Sequence, residues 1–107
     1  MKGSAPTRGQ IYNVDIGHGP QPWLIVSNDR RNRLLRDVLM SRITTTGEDV
    51  GLPTWVKLSS ADPVVGIVMA DELRRVDRDQ LGPLLGKISP ATVLAVNAAL
   101  KLALAIP

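Results

Sequence analysis

The chain contains no cysteine. Disulfides and thiolate metal sites are thereby excluded, and an intracellular home fits. Phenylalanine is also absent, and the aromatic residues are Tyr12, Trp23 and Trp55. There is one histidine, His18. A single histidine cannot build a histidine-based metal site, and no His/Asp/Glu cluster has ligand spacing, so neither metal nor cofactor is expected. No phosphate-binding GxxxxGK[ST] occurs, and Gly17-His18-Gly19 is not followed by a helical pattern, which argues against a nucleotide fingerprint. Long apolar runs are missing too. The longest, near the C-terminus, falls short of the roughly 20 residues a membrane span needs and is interrupted by Asn97 and Lys101. The start, MKGSAPTRGQ, lacks the apolar stretch of a signal peptide. A cytoplasmic protein with no membrane association is expected.

The 107 residues form a single domain, 1–107, with residues 1–7 read as a flexible tail. At this size a partner or a second copy would help to complete the core. The formal charge is +3, and its distribution is uneven. Between residues 29 and 42, Arg30, Arg31, Arg33, Arg36 and Arg42 face only Asp29 and Asp37, so this segment carries the whole net charge. A local cationic patch on a neutral body suits a polyanion. It also suits an ordinary solvated turn.

Hydropathy patterning predicts short strands. Ile11–Ile16 alternates, and Gly17–Pro20 breaks it. Pro22–Val26 is wholly apolar and reads as a buried strand. Ser27 and Asn28 can cap a short helical turn through Leu35 that exposes Asn32 and Arg33. Asp37–Thr45 forms a strand with Val38, Met40 and Arg42 on one face. Pro53–Leu58, Gly66–Ala70 and Leu73–Val76 are further strands, and Gly82–Ile88 is a short bracketed segment. Ser89 and Pro90 are a good N-cap and first helical residue for a helix over Ala91–Ala105. Val93, Val96, Leu100 and Leu104 line one stripe, widened by Leu94 and Leu102, so more than one side is to be covered. Together these predict an α+β protein: a small SH3-like β-barrel of about five to seven strands with a C-terminal helix.

The segment from Gly17 to Thr46 carries the candidate chemistry. His18 can act as a general acid or base near neutrality, or simply be a surface loop residue. Arginines can clamp phosphates and stabilise charge on a pentavalent phosphorus. Arg42 stands apart, since it lies within a strand beside Thr44 and needs a polar outlet. Thr44, Thr45 and Thr46 can donate to phosphate oxygens, although a threonine run also suits a strand edge. Trp23 reads as core. Trp55 reads equally as core, interface or a stacking platform for a base.

Four stretches, RGQIYNVDIG, QPWLIVSND, ITTT and VMADELRRVDRDQLGPLLGKISPATVLAVNAALKLALAI, together resemble the MazF/PemK family of bacterial toxin–antitoxin toxins. The resemblance spans about Arg8 to Ile106. It implies a five-stranded SH3-like barrel of the CcdB/MazF kind that forms a homodimer. It further implies metal-independent cleavage of single-stranded RNA at short sequences, and neutralisation by a small MazE-like antitoxin. The expected chemistry is attack of the 2′-hydroxyl on the adjacent phosphate, leaving a 2′,3′-cyclic phosphate and a 5′-hydroxyl.

In the family an arginine immediately before the second strand's proline serves as acid/base and charge stabiliser, and a threonine ending the third strand binds the phosphate. Thr44 matches the threonine. The arginine position holds Gln21, a neutral amide. The expected catalytic group is therefore Thr44 and Gln21 at the phosphate, with His18 and Arg42 as auxiliary groups. Arg30, Arg31, Arg33, Thr45 and Trp55 are expected to contact the RNA. Two alternatives remain at this point: a gyrase-poisoning toxin on the same fold, and a catalytically impaired RNA- or antitoxin-binding module.

Overall fold

The computed structural model describes residues 4–107. The expected tail falls partly outside them; of its remainder, Pro6 is buried and the Thr7 N–H donates to Gln10 Oε1 at 2.8 Å. The elements in chain order are β1 (Gln10–Asp15), β2 (Pro20–Ile25), α1 (Asp29–Leu34), β3 (Asp37–Thr44), β4 (Trp55–Lys57), β5 (Ile67–Asp77), a 3-10 turn at Arg78–Gln80, β6 (Leu81–Lys87) and α2 (Pro90–Ala103). The six strands form one antiparallel sheet in the order β4-β5-β3-β2-β1-β6.

The expected barrel is an open one. β4 and β6 are its edges, and no ladder joins them. The edges nevertheless curl toward each other, because Leu58 after β4 and Ile88 after β6 meet in the same apolar cluster under α2. Gly82, Pro83 and Gly86 look hostile to a strand, yet β6 is one. It lies at an edge, where a missing N–H costs no ladder bond. The two strands expected at Gly66–Ala70 and Leu73–Val76 are one, β5. A register shift opposite the Ser41–Arg42 step absorbs Ala70, Asp71 and Glu72 as a bulge.

Each face of the sheet carries a buried cluster. Ile11, Leu24, Ile43, Val68 and Ala70 pack against Val96, Ala99 and Leu100 of α2. Val14, Trp23, Ile25, Val38, Met40 and Val76 form a second cluster on the other face. α1 packs more closely than its sequence suggests. Asn32 is fully buried rather than exposed, because its side chain bonds the Ser27 hydroxyl and carbonyl. On α2, Val96 and Leu100 are buried as expected, whereas Leu94, Leu102 and the C-cap Leu104 remain uncovered.

Asp62 clasps the loop before β5 to the start of α2. Its carboxylate accepts from the Ser89 and Ser59 N–H groups and from the Thr92 and Ser59 hydroxyls. Burial pushes its pKa up, but these hydrogen bonds outweigh burial and bring it from 3.8 to about 2. A depressed carboxylate pKa stabilises the fold above the unfolded value and loses that contribution as pH falls through the folded one. Asp62→Asn is therefore expected to cost about 1–2 kcal/mol at pH 7 and almost nothing near pH 2. Urea unfolding of both proteins at the two pH values checks it.

Candidate functional site

The site is set by how β2 meets β3. Trp23 pairs with Arg42, Leu24 with Ser41 and Ile25 with Met40. Continuing that register by two residues sets Gln21 across from Thr44. Side chains two apart on a strand share a face. By alternation Gln21, Trp23, Arg42 and Thr44 fall on one face; the paired register ends at Trp23–Arg42, and Gln21 and Thr44 line separate hollows beyond it.

A cleft of about 190 Å³ opens on this face, lined by Val14, Ile16, His18, Gln21, Trp23 and Arg42, and by Glu72 and Arg74 from β5. The loop bearing His18 is shaped by Asp15, whose carboxylate accepts from the Gly17 and Gly19 N–H groups at 2.8 and 3.1 Å. Both glycines have positive φ, at 115° and 84°, which β-carbon-bearing residues seldom adopt. His18 stands exposed at the rim.

Arg42 is held loosely. Its Nη1 lies 3.5 Å from Glu72 Oε2, an ion pair longer than a hydrogen bond. Its buried Nε has no partner among the described residues, and neither does Nε1 of Trp23 across the ladder.

Thr44 is half-buried at the margin of the hydrophobic interior. Its hydroxyl donates to the Thr46 carbonyl at 2.8 Å. It borders an adjoining hollow of about 480 Å³ that also contains Thr45 and Lys57. Gly66 seats itself against the Thr44 carbonyl, where a β-carbon would approach to 2.6 Å. The end of β3 is thus fixed by close backbone packing.

The structure does not bring all the sequence candidates together. Arg30, Arg31 and Arg33 lie on α1, next to the start of β3, and Thr44 lies at its end. Seven steps along an extended strand separate those ends by roughly 23 Å. One trough combining the arginine turn with the threonines is thereby corrected: β3 runs eight residues without a turn, so its ends cannot meet. Arg31 is also occupied, since its guanidinium bonds the carboxylate and carbonyl of Asp37. Arg30 and Arg33 are exposed.

Trp55 sits half-buried on the edge strand β4, with its indole N–H given to Asp71 at 3.3 Å. It is not core. Glu72 and Arg74 were missed, because they join the cleft only through the β5 bulge. The signal was there: charged residues at alternate positions inside a strand pattern.

Among the described residues no group of three or more His, Asp or Glu is placed to hold a metal ion. Nor is any helix among them long and apolar enough to cross a membrane.

Residues 7–104 match the family described as PemK-like, MazF-like toxin of type II toxin-antitoxin system. Endoribonuclease MazF4 of Mycobacterium tuberculosis is 47% identical over 104 residues, covering 97% of each chain. Endoribonuclease MazF1 of Mycobacterium bovis matches to the same extent. Among solved structures, an endoribonuclease in complex with its cognate antitoxin from a mycobacterial species superposes with a TM-score of 0.91 at 48% identity, covering 96% of this chain and 98% of the other. A MazE–MazF structure from Deinococcus radiodurans superposes at 0.83, covering 98% and 100% of the two chains. At 22% identity, it speaks for the fold alone.

Proposed function

The chain belongs to the PemK-like, MazF-like toxin family, and from that premise we propose that it is an endoribonuclease toxin of a type II toxin–antitoxin pair that cuts single-stranded RNA in the cytoplasm. The observation that supports the reading is the cleft beside the β2–β3 ladder, whose lining includes Gln21, His18 and Arg42, with Thr44 two residues beyond Arg42 on the same strand.

Cleavage needs three things: a proton taken from the 2′-hydroxyl, a proton given to the leaving 5′-oxygen, and stabilisation of the charge that builds on phosphorus. The Gln21 amide and the Thr44 hydroxyl donate to the non-bridging oxygens. Arg42 supplies the positive charge that a neutral Gln21 cannot. His18, exposed on the glycine-bordered loop, moves the proton. The 2′-oxygen then displaces the 5′-oxygen, leaving a 2′,3′-cyclic phosphate. Arg30 and Arg33 reach phosphates farther along the strand, and Thr45 and Trp55 contact the RNA beyond the threonine hollow.

Two protein partners belong to the same proposal. Leu94 and Leu102 on α2 and Leu104 at its C-cap are uncovered, and exposed leucines of this kind suit a protein surface. A second copy of the chain and a MazE-like antitoxin are the proposed partners. The solved relative in complex with its cognate antitoxin supports the latter.

The test is incubation of purified protein with single-stranded RNA in excess EDTA, followed by analysis of the new termini. Fragments with cyclic-phosphate and 5′-hydroxyl ends are expected. Intact RNA together with inhibited, DNA-trapped gyrase would replace this reading with a gyrase-poisoning toxin. Intact RNA that stays bound would replace it with an RNA-binding module.

A further inference from the structure

The two buried donors without partners, Trp23 Nε1 and Arg42 Nε, belong to side chains lining the same small cleft. Trp23 is 2% exposed. Buried N–H groups almost always find an acceptor, so two orphans side by side point to an acceptor that arrives from outside. Glu72 shares the cleft and offers the opposite chemistry. A carboxylate only accepts, and the 3.5 Å gap to Arg42 leaves its oxygens capacity to do so.

We propose that the cleft receives one unstacked base of the RNA strand and selects a base with a carbonyl beside a ring N–H, namely guanine or uracil. This rests on the ribonuclease reading above. The carbonyl takes the Trp23 and Arg42 Nε protons, and the ring N–H goes to Glu72. Adenine and cytosine present a lone pair at that ring nitrogen, which would face the Glu72 carboxylate. Val14 and Ile16 supply apolar surface for the flat ring.

The volume agrees. About 190 Å³ is below the roughly 300 Å³ at which sites for drug-sized ligands begin, so it holds a single ring system and not a whole nucleotide. Both donors lie beneath the surface, so the base enters as Arg42 swings away from Glu72. The terminal guanidinium nitrogens of Arg42 are then free for the neighbouring phosphate. Single-stranded RNA is commonly read in this way, by splayed bases hydrogen-bonded on their edges.

The test is a set of short single-stranded RNAs in which each position flanking the cut is varied through all four bases. At one position, guanine or uracil is expected to give a kcat/KM on the order of 10- to 100-fold above adenine and cytosine. Glu72→Gln is expected to reduce that preference at least about tenfold, because an amide can present either a donor or an acceptor. Glu72 is well exposed, so this variant folds. Trp23→Phe keeps an aromatic side chain, although a smaller one, removes the N–H, and is expected to slow the preferred substrates more than the others. The proposal is overturned if no flanking position shows this preference, or if the preference survives both variants. Should every RNA stay intact, the ribonuclease reading fails on its own, and anisotropy with oligo(U) and oligo(A) decides the pocket separately. Tighter oligo(U) binding that is lost in Glu72→Gln sustains it, and equal binding rejects it.

Discussion

Thr44→Ala is expected to lower the rate of RNA cleavage about 10³-fold, whereas Gln21→Arg is expected to increase it. Thr44 lies at the end of β3, two residues beyond Arg42, and Gln21 lies on β2 two residues before Trp23, the partner of Arg42. Removing one donor aimed at developing negative charge typically costs about 10²–10³ in kcat. Here the loss falls at the upper end, because a neutral neighbour cannot compensate. Gln21 donates only through an uncharged amide. An arginine in its place would form charge-assisted bonds, roughly twice as strong as neutral ones, to the same oxygens. A rise on the order of tenfold in kcat follows, with little change in KM, since the benefit arises mainly in the transition state. Single-turnover cleavage of one short RNA by the wild type and the two variants measures both effects. Unchanged rates in both would mean that the reacting phosphate sits elsewhere.

Arg42→Ala is expected to lower kcat by about 10²-fold or more, and the arginines of α1 should behave quite differently. Arg42 is the strand guanidinium beside Trp23, inside the cleft that also contains Gln21 and His18. Its positive charge acts where the phosphorane forms, in a partly dry setting. Arg30 and Arg33 are exposed on a short helix before the start of β3, whose other end, roughly 23 Å along the strand, carries Thr44. Replacing either one should weaken RNA binding modestly and leave kcat alone. Each one that holds a phosphate should reduce the slope of log affinity against log salt by about 0.7. Salt titrations of binding, run beside kcat measurements for each alanine variant, separate the two kinds of cation. Equal kcat losses at Arg30 and Arg42 would mean that RNA crosses the sheet along a different path.

Much of the fold could be read locally. Ser89-Pro90 starts α2 as expected, because a hydroxyl cap followed by a proline is a signal confined to adjacent residues. The buried second strand was equally plain in Pro22–Val26. β6 was less so. Its glycines and proline disguise a strand whose existence depends on pairing with β1 across the sheet. Asn32 reads locally as a surface residue, and its burial depends on a serine five positions away.

The candidate site divides along the same line. Hydroxyls at Thr44 and Thr45, a lone histidine between glycines, a strand arginine and the substituted Gln21 are all visible in the order of residues. So is the family, because its motifs are contiguous blocks. Which cations stand near Thr44 could not be read in that way. Neighbours in sequence suggested Arg30, Arg31 and Arg33, but an extended eight-residue strand carries them away. Antiparallel pairing across β2, β3 and the bulged β5 brings in Arg42, Glu72 and Arg74 instead. Propensity, capping and hydropathy act over a few residues. Register acts between segments far apart in the chain, and it alone assigns side chains to a shared face.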